Sequence, residues 1–203
     1  MAAVPSLFCI TFHETAHGMA ALMLGDETAR RQGRLSLNPL KHLDVMGLVM
    51  LLVFHFGWAK PVPVNPLAFK KPKLGMAITA FAGPFCNFII TVVFLFFYGL
   101  FFKSLIGSFP GTILLELMEM TAVISLGLCI FNLIPLPPLD GSKIFAILLP
   151  NRLYYRLMRY ERYGMILLLV LVWTGILGRP FGRLVNTVFN SLMAIARFSS
   201  GLV

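Results

Sequence analysis

His13 and His17 stand four residues apart, with Glu14 beside the first. On a helix, residues i and i+4 rise from one face about one turn apart. Two imidazoles so placed can share one divalent metal, and the neighbouring carboxylate can take a proton from a water beside it. This is the H-E-x-x-H pattern of zinc hydrolytic sites. Its flanks are apolar on both sides, Val4 to Phe12 before it and Met19 to Leu24 after it. A helix that is apolar all round is buried all round, so the pattern predicts a metal site inside a membrane.

A catalytic zinc takes three protein ligands and keeps one position open. The third can be sought by elimination, because the chain has only 8 acidic residues. Asp26 and Glu27 sit where the His helix should end and are expected to point into an aqueous loop. Glu116 and Glu119 begin a helix on the far side, and Glu161 among arginines reads as a solvated ion pair. Asp44 and Asp140 remain. Asp140 is the better candidate, because Pro135, Pro137 and Pro138 stiffen the approach to it and Gly141 permits a tight turn just after it. The plainer alternative is that Asp140 merely caps a helix beginning at Ser142 and Lys143. Its pairing with the His helix favours the metal reading. Cys9, one turn before His13, is a weaker alternative ligand. With Cys86 and Cys129 it is read as a small buried hydrophobe, not as part of a disulfide framework.

The elements that must hold such a site are membrane helices. Of 203 residues, 58% are hydrophobic and 12% charged, and the mean hydropathy is +0.85. A soluble domain is roughly 45–50% apolar and about 25% charged. The pattern predicts an all-α polytopic membrane protein in a single domain over residues 1–203. About five spans are expected, near Ala2–Leu24, Leu74–Phe102, Thr112–Ile134, Tyr163–Leu177 and Phe181–Ala196. Val45–Phe56 is too short to cross and reads as re-entrant or interfacial. The alternation of Arg34 to Asn38, stopped by Pro39, predicts a short strand, a minor β element in the fold. The N-terminus lacks a basic leader region and carries the His-Glu-His cluster, so it is not expected to be a cleaved signal.

Charge decides the sidedness. The net charge of +9 comes with no nucleic-acid motif, and in a membrane protein basic residues mark cytoplasmic loops. If Val45–Phe56 does not cross, fourteen of the 17 Lys and Arg share one side; if it does, they split about evenly, seven against ten. The first arrangement obeys the positive-inside rule and puts the metal site nearer the cytoplasm.

Taken in order, His13-Glu14-Thr15-Ala16-His17, Gly33 to Pro39, Gly57 to Asn65, Ala82 to Asn87 and Asn132 to Gly141 make the chain resemble the site-2 protease family of intramembrane zinc metalloproteases, specifically its short prokaryotic branch. The resemblance covers most of Phe12 to Ile144. It implies one Zn²⁺ per chain held by His13, His17 and Asp140, with Glu14 as general base. It further implies a multi-pass protein of the cell (inner) membrane, cleaving membrane-spanning or membrane-associated proteins within the lipid bilayer. Only twelve residues precede His13, fewer than in many members.

Other polar residues are open to two readings. Asn87 follows Pro84 and a run of small residues. It either donates to substrate or oxyanion or ties two helices together. Asn132 either orients Asp140 or holds substrate backbone, and the resemblance favours a site role. His42 and His55 read as interfacial. An unwound substrate is expected to pair with the Arg34–Asn38 edge. Two other function classes stand beside the protease. A catalytically silent membrane scaffold would tolerate Glu14→Gln. A metal transporter would need ligands at several depths, whereas the intramembrane His and acidic groups here cluster at one. The sequence is silent on substrate identity and oligomeric state.

Overall fold

The computed structural model describes residues 1–54 and 57–201. His55 and Phe56, the end of the short segment, lie outside it. The fold is 76% helical. In chain order the helices are α1 (Ala3–Met23), α2 (Thr28–Arg31), α3 (Val45–Phe54), α4 (Pro72–Leu105), α5 (Phe109–Asn132), α6 (Asp140–Phe145), α7 (Asn151–Arg159), α8 (Glu161–Trp173) and α9 (Gly178–Ser200).

α4 is the hub, packing against α1, α5, α6 and α9. Its apolar composition leaves it two faces to fill. One buries Thr79, Gly83, Pro84, Asn87 and Thr91, residues spaced mainly by four and therefore stacked on one stripe. The other keeps Phe81, Phe85, Phe88 and Phe96 exposed. Large apolar side chains exposed in such a row mark a lipid-facing surface rather than a water-facing one. Among the described helices, α4 and α5 are long and apolar enough to cross a membrane, and a third span results if α8 and α9 form one. Those two are bent by 84° at the break between them. α8 alone has 13 residues, about 20 Å at ~1.5 Å per residue, which falls short of a hydrocarbon core of ~30 Å. α3, with 10 residues, is about 15 Å long and likewise does not cross as a helix.

The expected strand at Arg34–Asn38 does not form. Among the described residues the only β pairing is an isolated antiparallel bridge between Leu43 and Ala59. A strand needs a partner's backbone ladder, and here side chains take its place. The Ser36 carbonyl accepts from Thr15 Oγ1 at 3.2 Å and from His42 Nε2 at 2.8 Å. Arg34 reaches outward to the carbonyls of Lys60 and Pro61. His42 is therefore buried, at 1% exposure, instead of lying at an interface.

The segment from Trp58 to Asn65 is an extended strap across the end of α1. Lys60 N–H donates to the His42 carbonyl and Asn65 N–H to Asp26 Oδ2. Asp26 is the second residue whose environment departs from expectation. It is 1% exposed and accepts from the Thr28 hydroxyl and N–H as well as from Asn65. Burial alone would raise its carboxyl, but these three bonds, led by the Thr28 hydroxyl, outweigh burial and hold it below the ordinary carboxylate range.

Candidate metal centre

Three elements converge on one point. α1 supplies His13 and His17 from its buried face. α6 supplies Asp140, its first residue, delivered by the proline-rich turn after α5. The turn closes tightly because Gly141 lies against the carbonyls of Leu133 and Ile134, where a β-carbon would not fit. α4 supplies the floor.

Asp140 Oδ2 lies 3.2 Å from His13 Nε2 and 3.2 Å from His17 Nε2, and the two Nε2 atoms are 3.0 Å apart. Residues separated by more than 120 positions thus present three ligand atoms as a nearly equilateral triangle. Around a tetrahedral zinc with bonds of ~2.0–2.1 Å, ligand atoms sit about 3.3 Å from one another. The observed triangle is within a few tenths of an ångström of that edge. The chemistry of the donor set points the same way. His17 Nδ1–H donates to the Thr79 carbonyl at 2.7 Å, which leaves the Nε2 lone pair aimed at the centre. Lone pairs of an imidazole and a carboxylate so close together repel unless a cation lies among them. Gly83 completes the test. A β-carbon there would sit 2.5 Å from His17 Cε1 and Nε2 and 2.7 Å from His13 Cε1. The helix floor is open to the ligands only because residue 83 has no side chain. Among the described residues this is the one group of three His, Cys, Asp or Glu side chains with metal-binding geometry.

Glu14 is half-buried beside the triangle. Its Oε2 accepts the Val62 N–H of the strap at 2.9 Å, so the carboxylate is held by backbone, not by another charge. Asn87 is wholly buried and its amide contacts His13 Nδ1 at 3.2 Å. No face of it is open to a substrate. Asn132 donates to the Leu128 carbonyl of its own helix at 3.0 Å and makes no bond to Asp140. Cys9 is turned away, its Sγ on the Thr121 carbonyl, and all three cysteines are free. Asp44 caps α3, accepting from Gly47 N–H. The Glu161 side chain lies outside the described ones.

Sequence reasoning missed three partners: the Thr79 carbonyl, the Val62 N–H and the Gly83 floor. For the first and last a signal exists. Thr79, Gly83, Asn87 and Thr91 recur every four residues in an otherwise bulky apolar helix, marking the face where another helix approaches closely. His17 meets Thr79 and His13 meets Asn87, ascending on one helix against descending on the other, so α1 and α4 run antiparallel.

Comparison with known proteins points to one family. The profile of Peptidase family M50 matches residues 103–175. The chain is 38% identical over 199 residues to the Bacillus subtilis protein named "Putative zinc metalloprotease YwhC", covering 91% of this chain and 85% of the relative. Rip2 proteins of Mycolicibacterium smegmatis and Mycobacterium tuberculosis, given the same zinc metalloprotease description, are 28% and 25% identical over 189 residues, covering 91% of this chain and 71% of each relative. No solved structure matches.

Proposed function

Because the chain belongs to Peptidase family M50, we propose that it works as an intramembrane zinc metalloprotease in which His13, His17 and Asp140 hold the metal and Glu14 is the general base. The observation that carries this reading is the triangle of ligand atoms at 3.0–3.2 Å. When bound, zinc supplies Lewis acidity toward the scissile carbonyl and the attacking water. Glu14 takes the proton from that water and passes it to the leaving amine. The Val62 N–H steadies one carboxylate oxygen while the carboxylate does so.

The substrate class follows from the surroundings. α4 exposes a row of phenylalanines to lipid, and the metal centre sits on the opposite face of the same helix. We assign a membrane-spanning or membrane-associated protein as substrate, locally unwound so that its carbonyls are free of helical hydrogen bonds. The whole of residues 1–203 acts as one membrane domain. Beyond α4 and α5, α1 is long enough to cross, at about 32 Å for its 21 residues, and the bent pair of α8 and α9 supplies the rest of the membrane-crossing chain. The distribution of Lys and Arg puts the metal centre toward the cytoplasmic side of a prokaryotic inner membrane. Asn132, the last residue of α5 before the turn that leads to Asp140, is the candidate for holding substrate backbone.

The decisive comparison is wild type against Glu14→Gln, purified in detergent, with zinc content and cleavage of a transmembrane peptide measured together. A protease loses cleavage by about 10²–10⁴-fold and keeps its zinc. No cleavage by either protein would identify a catalytically silent scaffold, and equal cleavage by both would remove Glu14 as the base.

A further inference from the structure

Asn87 carries two unexplained features. Its Oδ1 is buried with no hydrogen-bond partner, although a buried carboxamide oxygen left unpaired loses its hydration without compensation. Its Nδ2 faces His13 Nδ1 at 3.2 Å. An amide N–H directed at Nδ1 requires Nδ1 to be the acceptor, which puts the ring proton of neutral His13 on Nε2. Nε2 is the atom that faces Asp140 and His17, and a protonated nitrogen cannot bind a metal.

One rotation removes both problems. Turning the carboxamide by about 180° about its terminal torsion exchanges oxygen and nitrogen at almost no steric cost. Oδ1 then accepts a hydrogen bond from His13 Nδ1–H, and the Nε2 lone pair is free. His17 already has this arrangement, with the Thr79 carbonyl as its acceptor. We propose that Asn87 is the positioning residue for His13: its side-chain oxygen fixes the Nδ1–H tautomer of that ligand and so sets the zinc affinity of the site. The proposal rests on the metal reading of His13, His17 and Asp140 given above.

The placement of Asn87 fits a fixed acceptor. Its own carbonyl accepts from Ser125 Oγ at 2.8 Å and from Thr91 Oγ1 at 3.0 Å, locking this part of α4 to α5. The side chain is therefore delivered from a backbone that cannot drift. Gly83, one turn before it, leaves room for both rings, since a β-carbon there would lie 2.7 Å from His13 Cε1 and 2.5 Å from His17 Cε1. The two histidines thus receive their acceptors from one face of α4, a main-chain carbonyl for His17 and a side-chain oxygen for His13.

The test compares full-length wild type, Asn87→Leu and Asn87→Asp in detergent, measuring zinc affinity by competition with a calibrated chelator and the unfolding midpoint of each metal-free protein. Leucine keeps the shape and removes the acceptor, so zinc affinity falls by about 10–100-fold. Aspartate presents an acceptor whichever way it turns, so its zinc affinity stays within about threefold of wild type. A residue that only tied helices together would shift the unfolding midpoints and leave zinc affinity equal in all three. That result, or an aspartate variant as weak as leucine, overturns the proposal. Should leucine fail to fold, ¹⁵N spectra of histidine-labelled, zinc-loaded wild type decide alone: a proton on His13 Nδ1 supports the assignment and a bare Nδ1 refutes it. Wild type that binds no zinc would instead refute the metal reading itself.

Discussion

The Val62 N–H donates to Glu14 Oε2 across 2.9 Å, joining α1 to a strap 48 residues further along. The strap is positioned for this by three ties: Lys60 N–H to the His42 carbonyl, Arg34 to the Lys60 and Pro61 carbonyls, and Asn65 N–H to Asp26. Between prolines 61 and 63, residue 62 can be made proline with little change to an already extended backbone. Val62→Pro removes the N–H. A hydrogen bond to a charged group contributes about 1.5–3 kcal/mol, so kcat is expected to fall roughly ten- to a hundredfold, with zinc content unchanged. Val62→Ala keeps the N–H and is expected to stay close to wild type in kcat. Steady-state cleavage of a transmembrane peptide checks both, and equal losses would show that packing, not the hydrogen bond, matters.

Gly83→Ala places a methyl group 2.5 Å from the His17 ring. Either the imidazole or the helix must move, at a cost of about 1–3 kcal/mol. Zinc content measured by atomic absorption is expected to drop well below one per chain. Gly127→Ala is the control on α5. A β-carbon there meets nothing within 4 Å, and the change should leave zinc bound and raise stability by about 0.5–1 kcal/mol.

Removing the metal should leave the helices in place. α1, α4 and α5 are joined independently of the ligand triangle, through Cys9 to the Thr121 carbonyl and through Thr91 and Ser125. A membrane-permeant chelator is expected to abolish cleavage with no loss of far-ultraviolet helical signal, and added zinc to restore activity. Unfolding on chelation would mean that the metal holds the bundle together.

Asp26 gives a pH dependence. Its carboxyl is depressed in the folded protein, so its stabilisation is full above the unfolded value of ~3.9 and is lost as pH falls through the lower folded value. Asp26→Asn has one acceptor where three donors converge and should cost about 1–3 kcal/mol at neutral pH. The gap between wild type and variant should hold steady down to about pH 4 and narrow below it. Unfolding of the metal-free proteins in mixed micelles measures it; a gap already closed at pH 6 would place the depression elsewhere.

The candidate ligands, which the fold brings together, were legible because their chemistry is written in side chains. The His13–His17 spacing fixes one helical face, and scarcity made Asp140 findable among 8 acidic residues. Partners that belong to the main chain were not legible, since every residue carries a carbonyl and nearly every one an N–H. The acceptor used by His17 is one such carbonyl, that of Thr79. Asp26 was misplaced for a related reason. An acidic residue ahead of a basic loop reads as solvated, and its burial depends on Asn65, 39 positions away. The alternation at Arg34–Asn38 reported an extended backbone correctly, but extension becomes a strand only where a second backbone lies alongside.

α1 is not among the described helices apolar enough to cross a membrane on composition alone, whereas α4 and α5 are. Its histidines and glutamate make it the costliest segment to leave facing acyl chains. During biogenesis the α4–α5 hairpin can therefore settle in lipid unaided, and the catalytic helix becomes stable only on docking against it. Until α1 docks, its two imidazoles lack the Thr79 carbonyl, the Asn87 amide and the open Gly83 floor that hold them in place.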